Sequence, residues 1–249
     1  MKKIFLILAV CCFAVSTNAQ KRISISTWNK TDLVKYDNQQ KDVSMLRYMF
    51  NGWNTLCVPF DMTEQQIDEM FGSDCRVETL VGAEGTKNAV DVYFDDVKSK
   101  GIEANKPYLI YYTGESKYIN IRLTDATIKA EGSRDLTFNT ADGTIVALKG
   151  TYDHFDGVGT YGILAADNGS VKFVPVSANH NGLYPTRCSL TVMGGSDAKV
   201  TAHHGEPTGI NVLKNDIMKL NAKYNLNGMR VNDGTKGVII ENGKKRISK

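Results

Sequence analysis

Four histidines and a scatter of carboxylates, thiols and phenols are the residues of this chain that could do chemistry. His203, His204 and Glu206 bring metal-ligand types close together, yet adjacent histidines do not share a helix face and no His-Glu-x-x-His spacing occurs. That stretch reads as a solvated linker. Asp153, His154 and Asp156 ahead of Gly157 make a polar loop with oxygen ligands for calcium. The alternating carboxylates and closing Glu of an EF-hand are missing, so an ordinary turn is the preferred reading. A Cys/His protease needs an activated thiolate beside a histidine. Cys57 falls in a strand, Cys75 in a turn after a helix, and His154 and His180 in loops, with nothing to gather them. Asp95 and Asp96 are neighbours on a strand; they point opposite ways and cannot flank one glycosidic bond. No Gly-x-Ser-x-Gly, phosphate loop or dinucleotide fingerprint is present. No catalytic, cofactor-binding or metal residue is therefore assigned. Tyr108, Tyr111, Tyr112, Tyr118 and Tyr161 remain as a sugar-stacking platform, with core and cross-strand packing as the preferred alternative.

The element around which any site must be built is Asn51 to Phe60, NGWNTLCVPF, answered by Ile102 to Tyr112, IEANKPYLIYY. Side chains alternate along a strand, so Leu56, Val58 and Phe60 share one face while Trp53 and Cys57 share the other. Both faces are apolar, which makes this strand central to the core. Upstream, Arg22 to Trp28 and Val43 to Phe50 read as strands, and Asn51-Gly52 predicts a tight hairpin between the second of these and the central strand. Thr63 and Gln66 form a capping box for a short helix carrying Ile67, Met70 and Phe71 and ending at Gly72. Further strands are expected at Arg76 to Leu80, Ala89 to Phe94, Pro107 to Tyr112 and Lys117 to Leu123. Others follow at Ala126 to Ala130, Thr144 to Tyr152, Thr160 to Ala165, Val171 to Val174 and Arg187 to Val192. Asp142-Gly143, Asp156-Gly157, Asn168-Gly169 and Asn181-Gly182 supply turns. Many short strands and one brief helix predict a mostly β fold, a two-sheet antiparallel sandwich of jelly-roll type.

Residues 1–19 combine two lysines, an apolar run from Ile4 to Val15 and small residues at Thr17 and Ala19, the order of a secretory signal peptide. The run is too short to span a bilayer, and cleavage is expected to leave Gln20 first. A lipid-modified Cys11 or Cys12 is the alternative, without the small residues such a site prefers. Losing Lys2 and Lys3 from the 30 basic residues leaves 28 against 27 acidic ones. So balanced a chain offers no electrostatic case for nucleic acid, and no later segment reads as transmembrane. Cys57, Cys75 and Cys188 remain, an odd set that cannot pair completely and reads as small buried hydrophobes. The sandwich is assigned to residues 20–193 and a linker to residues 194–221. Residues 222–249 form a short β tail with hairpin signals at Asn227-Gly228 and Asn242-Gly243. A chain ending near Ala202 is expected to fold.

The series VSMLRYMFNGWNTLCVPFDMTEQQIDEMFG, then GIEANKPYLIYY, Gly150 to Tyr152 and GLYPTRCSLTV resembles a group of uncharacterised secreted proteins of Bacteroidetes-type bacteria. In these, a WNTLC-PFD strand, a short helix, an EAGKPY-like strand and a late P-x-R strand recur in that order. PTGIN, YNLNGMRV, KGVII and NGKKRISK are similar to the short C-terminal tail of that group, so the resemblance covers about residues 40–249. Asn105 stands where the group often has Gly, and Cys188 where it often has an aromatic. The resemblance implies an exported β-sandwich and no established reaction. The expected function is binding or assembly at the cell surface or in the medium, with the periplasm as a further location. Glycan or a host or surface protein is the expected partner, and the tail is a candidate contact for secretion machinery. The competing readings are a secreted hydrolase with a loop-assembled site and a surface-filament subunit.

Overall fold

An apolar strand with two buried faces needs two cores, and the chain is layered to supply them. The computed structural model describes residues 22–165, 171–178, 182–195 and 197–205 and the strands of the tail. In chain order the elements are β1 (Ile23–Ser24), β2 (Gln40–Met49), β3 (Gly52–Leu56), α1 (Glu64–Phe71), β4 (Arg76–Thr86), β5 (Ala89–Asp96) and β6 (Tyr108–Tyr112). They continue as β7 (Lys117–Thr127), β8 (Asp135–Asn139), β9 (Ile145–Thr151), β10 (Tyr161–Ala165), β11 (Val171–Pro175), β12 (Arg187–Val192) and β13 (Lys199–His204). The tail holds β14 (Lys223–Asn225), β15 (Arg230–Val231), β16 (Gly237–Glu241) and β17 (Lys244–Ser248).

The fold is the expected mostly β, largely antiparallel sandwich with one short α-helix among the described residues. Two five-stranded sheets, β13-β5-β4-β6-β3 and β11-β10-β12-β9-β8, face each other, and a three-stranded sheet β1-β2-β7 covers the first from its other side. Trp53, Cys57, Phe94, Leu109 and Leu148 fill the core between the five-stranded sheets. Leu56, Val58, Phe60, Met45 and Ile121 fill the second, together with Ile67 and Phe71 of α1. The opposed faces of the Trp53 to Phe60 run are therefore as the alternation predicts. α1 starts in the expected capping box, with Gln66 N–H donating to Thr63 Oγ1 (3.3 Å) and Thr63 N–H to Gln66 Oε1 (2.8 Å). Among the described residues no helix is long and apolar enough to cross a membrane.

Several sequence expectations about partners are corrected. β2 and β3 do not form a hairpin: β2 pairs with β7 and β3 with β6, in different sheets. Side-chain amides build a corner instead. Asn51 Nδ2 donates to Thr113 O (3.2 Å) and Gly114 O (2.9 Å), and Asn54 Nδ2 donates to Phe50 O and Gly52 O, each at 2.9 Å. β3 is central to the packing but lies at the edge of its ladder. β1 is shorter than the predicted Arg22 to Trp28 and pairs parallel to β2. β8 was not anticipated, although Leu136 and Phe138 alternate in it. The stretch read as a linker from Gly194 contains β13, parallel to β5 over its whole length. Val200 and Ala202 pack against the core from one face of β13, which is why it docks. A cut at Ala202 would sever that strand.

In the tail, β14 pairs with β15 and β16 with β17, antiparallel, on either side of the two Asn-Gly signals. Residues 1–19, Asn168-Gly169, His180, Asn181, Glu206, the later part of the predicted linker and the tail turns lie outside the described residues.

Candidate functional site

Where the edge strand of the middle sheet meets the outer sheet the ladder stops, and a cleft of ≈ 350 Å³ opens there. β10 and β12 pack against β3, and Cys57 N–H reaches across to Thr186 O (3.1 Å). Trp53 and Thr55 of β3, Ile163 of β10, Val174 of β11 and Arg187 of β12 line the cleft, with Phe50 and Tyr184 from the adjoining turns. Among the described lining residues there is no carboxylate and no histidine, and Arg187 is the one charged group.

The seam is held by a second arginine. Arg47 sits on the same phase of β2 as Val43, Met45 and Met49, so its side chain enters the interior and is 1% exposed. Its Nη1 donates to Thr186 O (2.9 Å) and Thr186 Oγ1 (2.7 Å), and its Nη2 donates to Thr55 O. Burial first, and then the field of Arg187, bring the Arg47 guanidinium down to about 9, which leaves it charged at neutral pH. Burial likewise lowers Arg187. Among the described residues neither arginine joins an ion pair, and the Nε atoms of both are buried without a hydrogen-bond partner. Between them, Thr186 is held at φ 65°, a left-handed conformation that is strained for a β-branched residue.

Rings continue outward from the cleft. Phe50 packs edge-on against Tyr48 and Tyr48 against Tyr118, each pair at 5.0 Å between centroids. Tyr184 meets Trp28 edge-on at 5.0 Å and His154 at 4.9 Å. Trp28 (52%), Phe50 (51%) and Tyr118 (52%) are exposed, and Leu46 beside them is too. These rings face solvent because Leu46, Tyr48 and Phe50 occupy the phase of β2 opposite to its buried residues.

Trp53, at the buried end, is fixed from behind. His204 stacks on it at 4.6 Å, Tyr111 tilts against it at 5.1 Å and the Arg76 guanidinium lies 5.4 Å from its centroid. The carboxylate of Glu78 is fully buried between His204 Nδ1 (2.5 Å) and Arg76. Two partners offset the cost of taking that charge out of water.

The sequence candidates are dispersed. His203 bonds Asp91 (2.9 Å) and stacks on Tyr93, while His204 turns the other way to Glu78. Among the described residues no three His, Cys, Asp or Glu side chains gather as a metal site would require. Asp153 accepts from Lys30 Nζ (2.6 Å) and from His154 N–H (3.0 Å), and Asp156 accepts from Val158 N–H (3.2 Å), so the loop's carboxylates already have protein donors. Asp96 accepts from Lys98 N–H (2.8 Å), and Asp95 lies one residue away on β5. The thiols of Cys57, Cys75 and Cys188 are buried and not in disulfides; burial pushes Cys57 up to about 12 and Cys75 to about 11, and raises Cys188 well above its ordinary value.

The five tyrosines do not form one platform. Tyr108, Tyr112 and Tyr161 are core residues, Tyr111 packs on Trp53, and Tyr118 alone of the five is exposed. Tyr108 Oη accepts from Glu103 N–H (2.9 Å), and Tyr161 Oη donates to Gly195 O (2.7 Å). The residues that do gather, Trp28, Tyr48, Phe50, Tyr184, Arg47 and Arg187, were missed by sequence reasoning. The signal for four of them was one of phase: an arginine on the core phase of β2 with Tyr48 and Phe50 on the solvent phase, and Trp28 out of step with Ile23 and Ile25. No family model, curated protein or solved structure matches this chain.

Proposed function

We propose that this is an exported, non-catalytic binding protein that holds glycan at the bacterial cell surface. The observation that carries the reading is a pair of ring runs, Tyr118, Tyr48 and Phe50 on one side and Trp28 and Tyr184 on the other, that lead to one cleft lined by Phe50 and Tyr184, with Trp28, Phe50 and Tyr118 exposed. Water-exposed rings of this number cost free energy unless something covers them, and sugars present the flat C–H faces that aromatic rings stack on. The phenol hydroxyls at the ring edges suit the hydroxyls around a pyranose. Export rests on the leader pattern of residues 1–19, and the four-stranded tail suits attachment through secretion machinery.

The test is a glycan array followed by calorimetric titration of the intact protein. Replacing Trp28, Phe50 or Tyr118 by Ala is expected to weaken binding about two- to tenfold each, from the roughly 0.5 to 1.5 kcal/mol of one ring contact, with the unfolding midpoint unchanged. An array with no signal above background, or a triple variant that binds like the parent, defeats the reading.

A further inference from the structure

We propose that the cleft is an anion-recognition pocket, and that the glycan it takes is an acidic one whose carboxylate or sulfate group meets Arg187. The inference rests on the glycan reading of the same cleft and adds the chemical class of the ligand. Arg187 is the one charged residue among the described lining, and no acidic side chain there neutralises it. Its Nε is buried without a protein partner, while the residue as a whole is only partly buried. Behind it, Arg47 is fully enclosed and spends its Nη donors on Thr186 and Thr55, while its own Nε also lacks an acceptor. Two guanidinium groups in one low-dielectric wall focus a positive potential into the cleft between them and solvent.

The scaffolding also points at this group. Thr186, the residue before Arg187, is strained at φ 65° and pinned by Arg47 through both its carbonyl and its hydroxyl. Its N–H donates to Thr151 O (2.7 Å), so the backbone carrying Arg187 is fixed on both sides. Strain that the surroundings over-determine is what presents a side chain in one orientation. A guanidinium fork carried on a backbone fixed in this way matches the two oxygens of a carboxylate, or two of a sulfate, with paired hydrogen bonds. The rings of Phe50 and Tyr184 at the same cleft then stack on the sugar that carries the acid.

The experiment uses the intact protein and two matched pairs of polymers: polygalacturonate against its carboxyl-reduced product, and dextran sulfate against dextran. An acidic polymer bound about tenfold or more tightly than its neutral partner supports the proposal, and the pair that shows it identifies carboxylate or sulfate as the group. Arg187→Met is expected to abolish that preference, and Arg187→Lys to restore part of it. Because the acid-to-neutral ratio of the parent protein needs no variant, a poorly folded Arg187→Met does not remove the test. Equal binding of acidic and neutral partners, or a preference that survives Arg187→Met, overturns the proposal while the glycan reading stands. If no polymer binds, sodium glucuronate and sodium sulfate are titrated against tryptophan fluorescence. Saturation that Arg187→Met removes keeps the anion pocket, and no saturation overturns it, while the glycan reading is decided separately by the array.

Discussion

Gly150 is the position where one methyl group tests the packing of the two-sheet core. It lies on β9 opposite Cys188 of β12, and its N–H donates to Arg134 O (2.8 Å). A Cβ added there would sit 2.7 Å from Cys57 Cβ and closer still to the Cys57 sulfur. Its φ is not in the left-handed region, so Gly150→Ala carries no backbone strain of its own. On an open strand it would stabilise by about 0.4 to 1 kcal/mol through the unfolded chain. Here overpacking at about 1 to 3 kcal/mol wins, because Cys57 Cβ is tied to buried backbone just past the end of β3 and cannot rotate away. For a protein of this size that lowers the unfolding midpoint by about 2 to 4 °C per kcal/mol. Removing the Cys57 side chain opens the space the methyl needs. Cys57→Gly is destabilising alone, but combined with Gly150→Ala it should cost at least about 1 kcal/mol less than the two single effects added. Urea unfolding followed by tryptophan fluorescence, with the denaturant slope checked across the cycle, gives the numbers. Additivity within about 0.5 kcal/mol, or a Gly150→Ala protein more stable than the parent, would refute the contact.

Leu56 is fully buried in the core under the three-stranded sheet, so Leu56→Ala should cost about 2 to 5 kcal/mol by denaturation, and an unchanged midpoint would place β3 at the surface. Cys57, Cys75 and Cys188 should not react with a thiol reagent at pH 8 until denaturant is added; rapid labelling of the native protein would contradict their burial. In the folded protein these thiols keep protons that the unfolded chain releases from about pH 9, so stability should fall as pH rises from 9 toward 11. Arg47, at about 9 in the fold, works in the opposite sense over that range, as does Arg187, but the three thiols and the raised phenols of Tyr108 and Tyr152 outnumber them. A midpoint that climbs with pH would reverse that accounting. A chain ending after Gly205 keeps β13 and should fold with nearly the parent midpoint, while one ending before Lys199 should be less stable, and in cells the first should change where the protein is delivered. Normal delivery of the shortened protein would leave the tail without a sorting role.

What could be read from the sequence was what short-range patterns encode. The Trp53 to Phe60 faces, the capped helix and the paired strands around the tail's Asn-Gly signals all follow from local patterns. Partners did not follow. Alternation says which way Leu56 points and nothing about whether β3 joins β2 or β6; that choice is made by the amides of Asn51 and Asn54 bonding into a corner. Asn105 shows the same limit from the other side. It stands at φ 64°, which explains why Gly or Asn suits the place, but its bond to Tyr152 Oη (2.8 Å) depends on a residue 47 positions away. Lys199 to His204 alternates as well as many of the strands that were recognised. It was passed over because glycine and polar residues on both sides suggest a linker.

The cleft and the buried arginine have one origin. A sheet edge that ends inside a protein leaves backbone carbonyls facing no strand, and each must find a donor or lose free energy. Thr55 O near the end of β3 and Thr186 O just before β12 are such groups, and Arg47 supplies donors to both while Cys57 N–H bridges to the second. A neutral side chain of the same reach could have closed the seam at lower desolvation cost. The use of a guanidinium, with Arg187 beside it and a strained Thr186 between them, goes further than joining two sheets requires. The surplus is positive charge, concentrated where the sheets part and the aromatic rings converge. A fold that needed only to close would have less reason to keep it, and a fold that meets an acidic ligand at that seam would.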